Sequence, residues 1–235
     1  MFTEDDNNER MNLLHFYSPV MTQEMYKFTQ SYMNILSAKD NSIVKHSERV
    51  ANYAMMIACE FNCLKQECFK YYLGGLLHDI GKVDIPDYIL LKPSKLTPAE
   101  YEVIKKHPEF GYNKLKQYEI FKELQILEMV RHHHEQYDGT GYPLNLKGEE
   151  IPKAARILSV ADSFEAMTAS RVYRSEQSLD FAIHQLREHK GTQFDPEVVD
   201  VFLEIIHRET TKSDTIKFLN MRCVEHGTLG SCTSP

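Results

Sequence analysis

The chain has 235 residues, of which 42% are hydrophobic, enough for one large domain or for a domain with a short extension around a sizeable core. Lys and Arg number 27 against 34 Asp and Glu, a net charge of −7, and no block of like charges occurs. Broad electrostatic attraction to polymeric nucleic acid or to an anionic membrane is therefore not favoured, and any anionic ligand needs a local basic site. No basic region followed by an apolar run opens the sequence, and no stretch of about 18 apolar residues occurs, so a cytoplasmic protein without membrane partners is expected.

Residues 1–36 begin polar and then become rich in Tyr, Phe and Met, which predicts a short N-terminal helical extension packed on the main domain. That domain is assigned to 37–210, with a C-terminal extension at 211–235 whose end, "GTLGSCTSP", has the composition of a disordered tail. From Ile43 the spacing is helical: Ile43, Val50, Ala54 and Ile57 share a face, and His46 lies one turn before Val50. The run "CFKYYLGGLLHDIG" reads as a buried helix closing at Gly81, with His78 and Asp79 in its last turn. Five cysteines, Cys59, Cys63, Cys68, Cys223 and Cys232, make an odd count, and reduced packing thiols are expected.

Thr97 with Glu100 three residues later, and Pro98 between them, predict a capping box at a helix start. Pro108 should kink or restart that helix directly after His107, because proline removes a backbone donor and crowds the preceding turn. Further helical patterns cover roughly 120–135, 152–169, 176–189 and 196–208, the last opening with an Asp195 cap before Pro196. No convincing strand and no internal repeat is found. The fold class is all-α, with helices supplying side chains to a common centre.

His46, His78, His107, His133 and His134 all fall at helix ends or on apolar faces, and Asp79 and Asp162 share that character. A lone histidine is more often a satisfied core or surface residue than a ligand. Adjacent His78 and Asp79 alter that balance, because a divalent metal satisfies several buried polar groups at once and a carboxylate can bridge two ions.

The strings "LLHDIGKVDIPDYILLKPSKLTPAEYEVIKKHPEFG", "RHHHEQYDGTGYP" and "ARILSVADSFEAMTASRVYR" resemble the HD-GYP family of metal-dependent phosphodiesterases, over about Ile43 to Phe202. The resemblance implies an HD-domain-type helical bundle with a buried metal centre, and hydrolysis of a cyclic dinucleotide, chiefly cyclic di-GMP, to the linear dinucleotide or GMP in bacterial signalling. It also implies His46, His78, Asp79 and Asp162 as ligands of one metal, with Asp79 bridging to a second held by His107, His133 and His134. Two divalent ions per chain are expected, and nitrogen and oxygen ligands without cysteine suit iron or manganese. Lys82 matches the lysine facing the scissile phosphate, and Arg171 and Arg174 match a basic pair on the phosphates.

By the same resemblance Gly141 and Tyr142, in the loop of Gly139 to Pro143, contribute to substrate specificity and to docking of a partner such as a diguanylate cyclase. Without it, two glycines and a proline read simply as a turn. Glu135 and Asp138 are expected to orient the ligand histidines or the loop, and His132 to lie on the surface or behind the ligands. Some residues depart from the family pattern. Glu165 stands where aspartate is usual, Val172 where proline is common, Ser94 where glycine is usual, and Ser42 where some members carry a glutamate for a third metal. None removes a proposed ligand. Competing readings are a weakly active or inactive cyclic-dinucleotide sensor or diguanylate-cyclase-docking module, and a hydrolase of another nucleotide.

Overall fold

The computed structural model describes residues 23–61, 65–169 and 178–212. Helix α1 (Gln23–Lys39) leads into α2 (Asn41–Glu60), and the Asp40 side chain between them accepts the Ser42 N–H at 2.8 Å, capping α2. Helix α3 (Lys65–Leu77) ends before His78 and Asp79, one step earlier than the sequence pattern predicts, and a 3-10 turn (Ile80–Asp84) follows. The reason lies at Gly81. A Cβ there would stand 1.9 Å from the His107 carbonyl oxygen and 2.6 Å from the Gly111 nitrogen, so this glycine permits a backbone contact rather than closing a helix.

Short α4 (Asp87–Leu90) precedes α5 (Pro98–Ile104), which starts with the expected Thr97–Glu100 capping box. The chain then restarts at His107 as α6 (His107–Leu115), with Pro108 in its first turn where no backbone donor is needed. The single segment expected over 120–135 is two, α7 (Glu119–Glu123) and α8 (Ile126–His132), broken at Gln125, whose φ is 59°. Helices α9 (Lys153–Thr168), α10 (Leu179–Glu188) and α11 (Pro196–Lys212) complete the described chain. Asp195 accepts the Glu197 N–H at 2.8 Å, as a cap should. The one β feature among the described residues is an isolated bridge between Lys190 and Phe194, so the all-α class holds.

Two apolar clusters matter for the site. In one, Val50 and Ile57 of α2 pack with Leu158 and Phe164 of α9 and Phe202 of α11. Phe164 meets Tyr53 and Phe202 edge-to-face, at centroid distances of 5.2 and 4.9 Å. In the other, Leu73 and Leu77 of α3, Ile80, Leu115 of α6, Phe121 of α7 and Ile126 of α8 meet, with Met25 of α1 against them. Each such side chain contributes about 1.5 to 3 kcal/mol on burial. One cluster centres on α2, α9 and α11 and the other on α3, α6 and α8, and because α2 also packs along α3 the polar ends of these helices converge. Cys68 packs as expected and Cys59 does not, being exposed at the end of α2. Cys63, Cys223, Cys232 and the tail "GTLGSCTSP" lie outside the described residues.

Candidate metal centre

Five parts of the chain deliver the seven residues singled out as ligands: His46 from α2, His78 and Asp79 from the turn after α3, His107 from the start of α6, His133 and His134 from the end of α8, and Asp162 from α9. Two groups of them can hold a metal ion, His46 with His78 and Asp79, and His107 with His133 and His134, each with one ligand atom per residue within 4.8 Å of the others.

Asp79 stands between the groups. Its Oδ2 lies 3.3 Å from His78 Nε2 and 3.7 Å from His46 Nε2, while its Oδ1 lies 3.3 Å from His107 Nε2. Asp162 Oδ1 is 3.0 Å from His46 Nε2 and 3.9 Å from His78 Nε2, on the side of the first group. Asp79, His78, His107 and His133 are each about 1% exposed, so water cannot solvate these polar groups.

Backbone contacts set the tautomers. His78 Nδ1 donates to the Gly75 carbonyl at 2.7 Å, His107 Nδ1 to Ile104 at 2.8 Å and His133 Nδ1 to Val130 at 2.9 Å. A carbonyl only accepts, so each Nδ1 carries a proton, and in the neutral form of each ring Nε2 is the bare nitrogen. Burial brings His107 down to about 3 and His133 well below its ordinary range, so both are neutral near pH 7. Their Nε2 atoms nevertheless face each other at 3.2 Å. Two lone pairs with no proton between them repel, and His78 Nε2 is buried without any hydrogen-bond partner. A cation resolves both problems, so the donors fit a metal.

The carboxylates are ionised. Burial would raise Asp79, but His78 and the Lys82 ammonium outweigh it and hold the group well below the carboxylate range. Asp162 is likewise lowered against burial by its hydrogen bond with His46. His46 differs from the other histidines: burial would lower it, yet hydrogen bonds with Asp162 and Glu165 lift it to about 9.

Glu165, visible in the sequence only as a departure from the family pattern, is 1% exposed and accepts from His46 Nδ1 on one oxygen. Its other oxygen takes Arg49 Nε at 2.6 Å and also contacts Arg49 Nη2. Glu165 therefore fixes the His46 ring with Nε2 turned toward Asp162, and Arg49 braces the carboxylate. The signal was present as spacing, because Asp162 and Glu165 on α9, and His46 and Arg49 on α2, are each one helical turn apart.

Lys82, expected to face a phosphate, donates from Nζ to Asp79 Oδ2 at 2.6 Å, and at 23% side-chain exposure it sits where the centre meets solvent. Arg171, Val172 and Arg174 lie outside the described residues. His132 is buried, not at the surface, with Nε2 3.3 Å from Glu128 and Nδ1 3.8 Å from Glu135. Glu135 orients the loop: it is 2% exposed and accepts the Leu144 and Leu146 N–H groups at 2.7 and 3.1 Å. Asp138 caps the turn through the Thr140 N–H at 2.9 Å. Gly141 is required by closeness, since a Cβ would stand 2.2 Å from the Gln136 nitrogen. The Tyr142 ring stacks on His134 at 4.8 Å.

Residues 30–198 match the HD domain family. The chain therefore belongs to the HD domain family, and its motifs at 78–82 and 133–143 are those of HD-GYP members. It is 38% identical over 191 residues to a cyclic di-GMP phosphodiesterase of Thermotoga maritima, covering 78% of this chain and 52% of that protein. It is 40% identical over 166 residues to the cyclic di-GMP phosphodiesterase response regulator RpfG of Xanthomonas campestris pv. campestris, covering 70% of this chain and 44% of that one. The chain thus spans about half the length of these relatives. Among solved structures, the HDG"Y"P protein Bd1817 of Bdellovibrio bacteriovorus shares the fold, with a TM-score of 0.56 at 20% identity over 70% of this chain and 52% of that one. No helix among the described residues is long and apolar enough to cross a membrane.

Proposed function

We propose that this chain is a metal-dependent phosphodiesterase that hydrolyses cyclic di-GMP to linear pGpG or GMP, using two divalent ions, iron or manganese. His46, His78, Asp79 and Asp162 hold one ion; Asp79, His107, His133 and His134 hold the other. The observation that carries this reading is the pair of facing Nε2 lone pairs on His107 and His133 beside a carboxylate whose two oxygens address both ligand groups. The relatives named as cyclic di-GMP phosphodiesterases support this choice of substrate.

A pair of divalent ions would supply a water of lowered pKa and neutralise phosphoryl oxygens. The protein's own residues do the rest. Backbone carbonyls hold His78, His107 and His133 with Nε2 as the nitrogen open to a ligand, and Glu165 orients the His46 ring, whose Nε2 proton a metal would displace. Burial keeps bulk water from competing with substrate. Lys82, at the solvent side beside Asp79, meets the phosphate that approaches, with Arg171 and Arg174 as further cations for an otherwise acidic chain. Hydrolysis adds one water across a single P–O bond, leaving a phosphomonoester and a free hydroxyl.

The test is metal analysis of protein purified without air, followed by turnover of cyclic di-GMP, 3′3′-cGAMP and guanosine tetraphosphate. Two ions per chain and preferred hydrolysis of cyclic di-GMP are expected, with Asp79→Ala losing both activity and bound metal. Full metal content and near-wild-type hydrolysis in Asp79→Ala would sink the assignment. Preference for another nucleotide would move the substrate, and binding without turnover by metal-loaded protein would make the chain a sensor.

A further inference from the structure

Helix α5 is unusual in what it lacks. None of its residues is fully buried, and only Val103 and Ile104 turn a half-buried apolar edge inward. It is secured at its start instead, by the Thr97–Glu100 capping box and by Lys92, whose Nζ reaches both Glu100 oxygens at 2.8 and 2.6 Å. A seven-residue helix has little stability of its own, so tying it down with so little apolar burial implies some use for the groups it presents.

Those groups are Tyr101 and, at its C-cap, Lys105. Tyr101 is 49% exposed, a large aromatic side chain left in water. Lys105 Nζ stands 5.7 Å from the centre of the Tyr101 ring and equally 5.7 Å from that of Tyr142. Tyr142 in turn stacks on His134 at 4.8 Å with the rings inclined by 28°. The order outward from the ligand cluster is therefore His134, Tyr142, Lys105, Tyr101, an aromatic and cationic ledge beginning at the metal centre and ending in solvent. The Lys105 ammonium, on a half-buried side chain, is paired at 2.6 Å with Glu102, which is 64% exposed, and an i,i+3 pair whose carboxylate is so well hydrated yields readily to a stronger anion.

We propose that Tyr101 and Lys105, with Tyr142, form the subsite for the part of the substrate that does not touch the metal ligands: Tyr101 stacks on a base and Lys105 binds the second phosphate. This rests on the cyclic-dinucleotide reading. Such a substrate carries two phosphates in one ring, so when one is at the metal centre the other phosphate and the bases must lie just beyond it. A ledge of flat rings around a cation offers both interactions they need, stacking and charge-assisted hydrogen bonding. Because neither Tyr101 nor Lys105 belongs to the buried core, their replacement should not unfold the protein.

The experiment compares metal-loaded wild type with Tyr101→Ala, Tyr101→Trp, Lys105→Ala and Lys105→Arg on two substrates. Cyclic di-GMP has two phosphates and two bases; bis(p-nitrophenyl) phosphate has one phosphate and no base. Each alanine variant should raise KM for cyclic di-GMP about ten-fold, the scale of one lost stack or one charge-assisted bond, with kcat changed far less. The ratio of kcat/KM for cyclic di-GMP to that for bis(p-nitrophenyl) phosphate should fall by a similar factor. Tyr101→Trp and Lys105→Arg should restore most of it. If wild type turns over cyclic di-GMP and both alanine variants do so with unchanged KM, or if both substrates suffer equally, the subsite is overturned while the phosphodiesterase reading stands. If wild type cleaves bis(p-nitrophenyl) phosphate but neither binds nor cleaves any cyclic dinucleotide, the substrate reading fails and the subsite fails with it.

Discussion

Replacing Glu165 by glutamine changes one buried oxygen to an amide nitrogen and removes one charge, with almost no change in volume. Both oxygens of Glu165 are accepting now, one from His46 Nδ1 and the other from Arg49. Glutamine has a single acceptor oxygen, so its NH2 must face either the imidazole N–H or the guanidinium, and one of those donors loses its partner. Breaking a fully buried ion pair costs about 3 to 5 kcal/mol. The Arg49 side chain is 36% exposed and keeps part of its hydration, which brings the expected cost to about 2 kcal/mol. For a domain of this size that is a fall in Tm of roughly 4 to 8 °C. Metal affinity should fall separately, by roughly ten- to a hundred-fold, because His46 loses the acceptor that fixes its ring and raises its basicity. Thermal denaturation reads the first effect and chelator competition reads the second. The double variant with His46→Ala discriminates between causes: if Glu165 acts through His46, Glu165→Gln adds no further loss of metal affinity in that background. Undiminished affinity in Glu165→Gln, or an additive loss in the double variant, would refute the reasoning.

Lys82→Ala should lower kcat/KM for cyclic di-GMP about ten-fold to a hundred-fold, the value of a charge-assisted hydrogen bond to phosphate. Metal affinity should hold or increase, since the ammonium 2.6 Å from Asp79 Oδ2 is a competing cation, and weaker metal binding in this variant would contradict the assignment. Wild type should bind two ions per chain and not three, measured by elemental analysis: Ser42, one turn before His46, is exposed and carries no carboxylate, and Asp40 is engaged as the cap of α2. Ser42→Glu should add at most one weaker ion, and three tightly held ions in wild type would show that another ligand exists. Arg208→Ala should cost at most about 1 kcal/mol, because its pair with Glu60 joins α11 to α2 between half-exposed groups. The hydrogen bond from Arg208 holds Glu60 below its ordinary value of 4.5, so this contribution is present above that pH and is lost on acidification through the lowered value. Wild type and Arg208→Ala should therefore converge in Tm in acid, and a difference that grows there would contradict the pairing.

Local signals determined much about this protein without tertiary information. The Thr97–Glu100 box, the restart at Pro108 and the Asp195 cap each depend on a few neighbouring residues, so their consequences are readable in the sequence. The identities of the candidate ligands were legible for the same reason: His78 adjoins Asp79, His133 adjoins His134, and the motifs around them are specific. What the folded chain alone decided are relations between residues far apart in sequence. Periodicity puts Asp162 and Glu165 on one face of α9, but only the packing of α9 on α2 through Phe164, Tyr53 and Phe202 brings Glu165 to His46, 119 residues away. Gly81 looked like a helix terminator because helices often end in glycine. The contact that requires it, with the His107 backbone, exists only once the 3-10 turn lies on α6. His132 carries no sign in its own residue type of whether it meets water, and α8 turns it inward while His133 and His134, which follow it, join the His107 ligand group. The assignment of one Asp79 oxygen to each ligand group is likewise a product of how two apolar clusters set five segments around one carboxylate, a geometry that no spacing along the chain specifies.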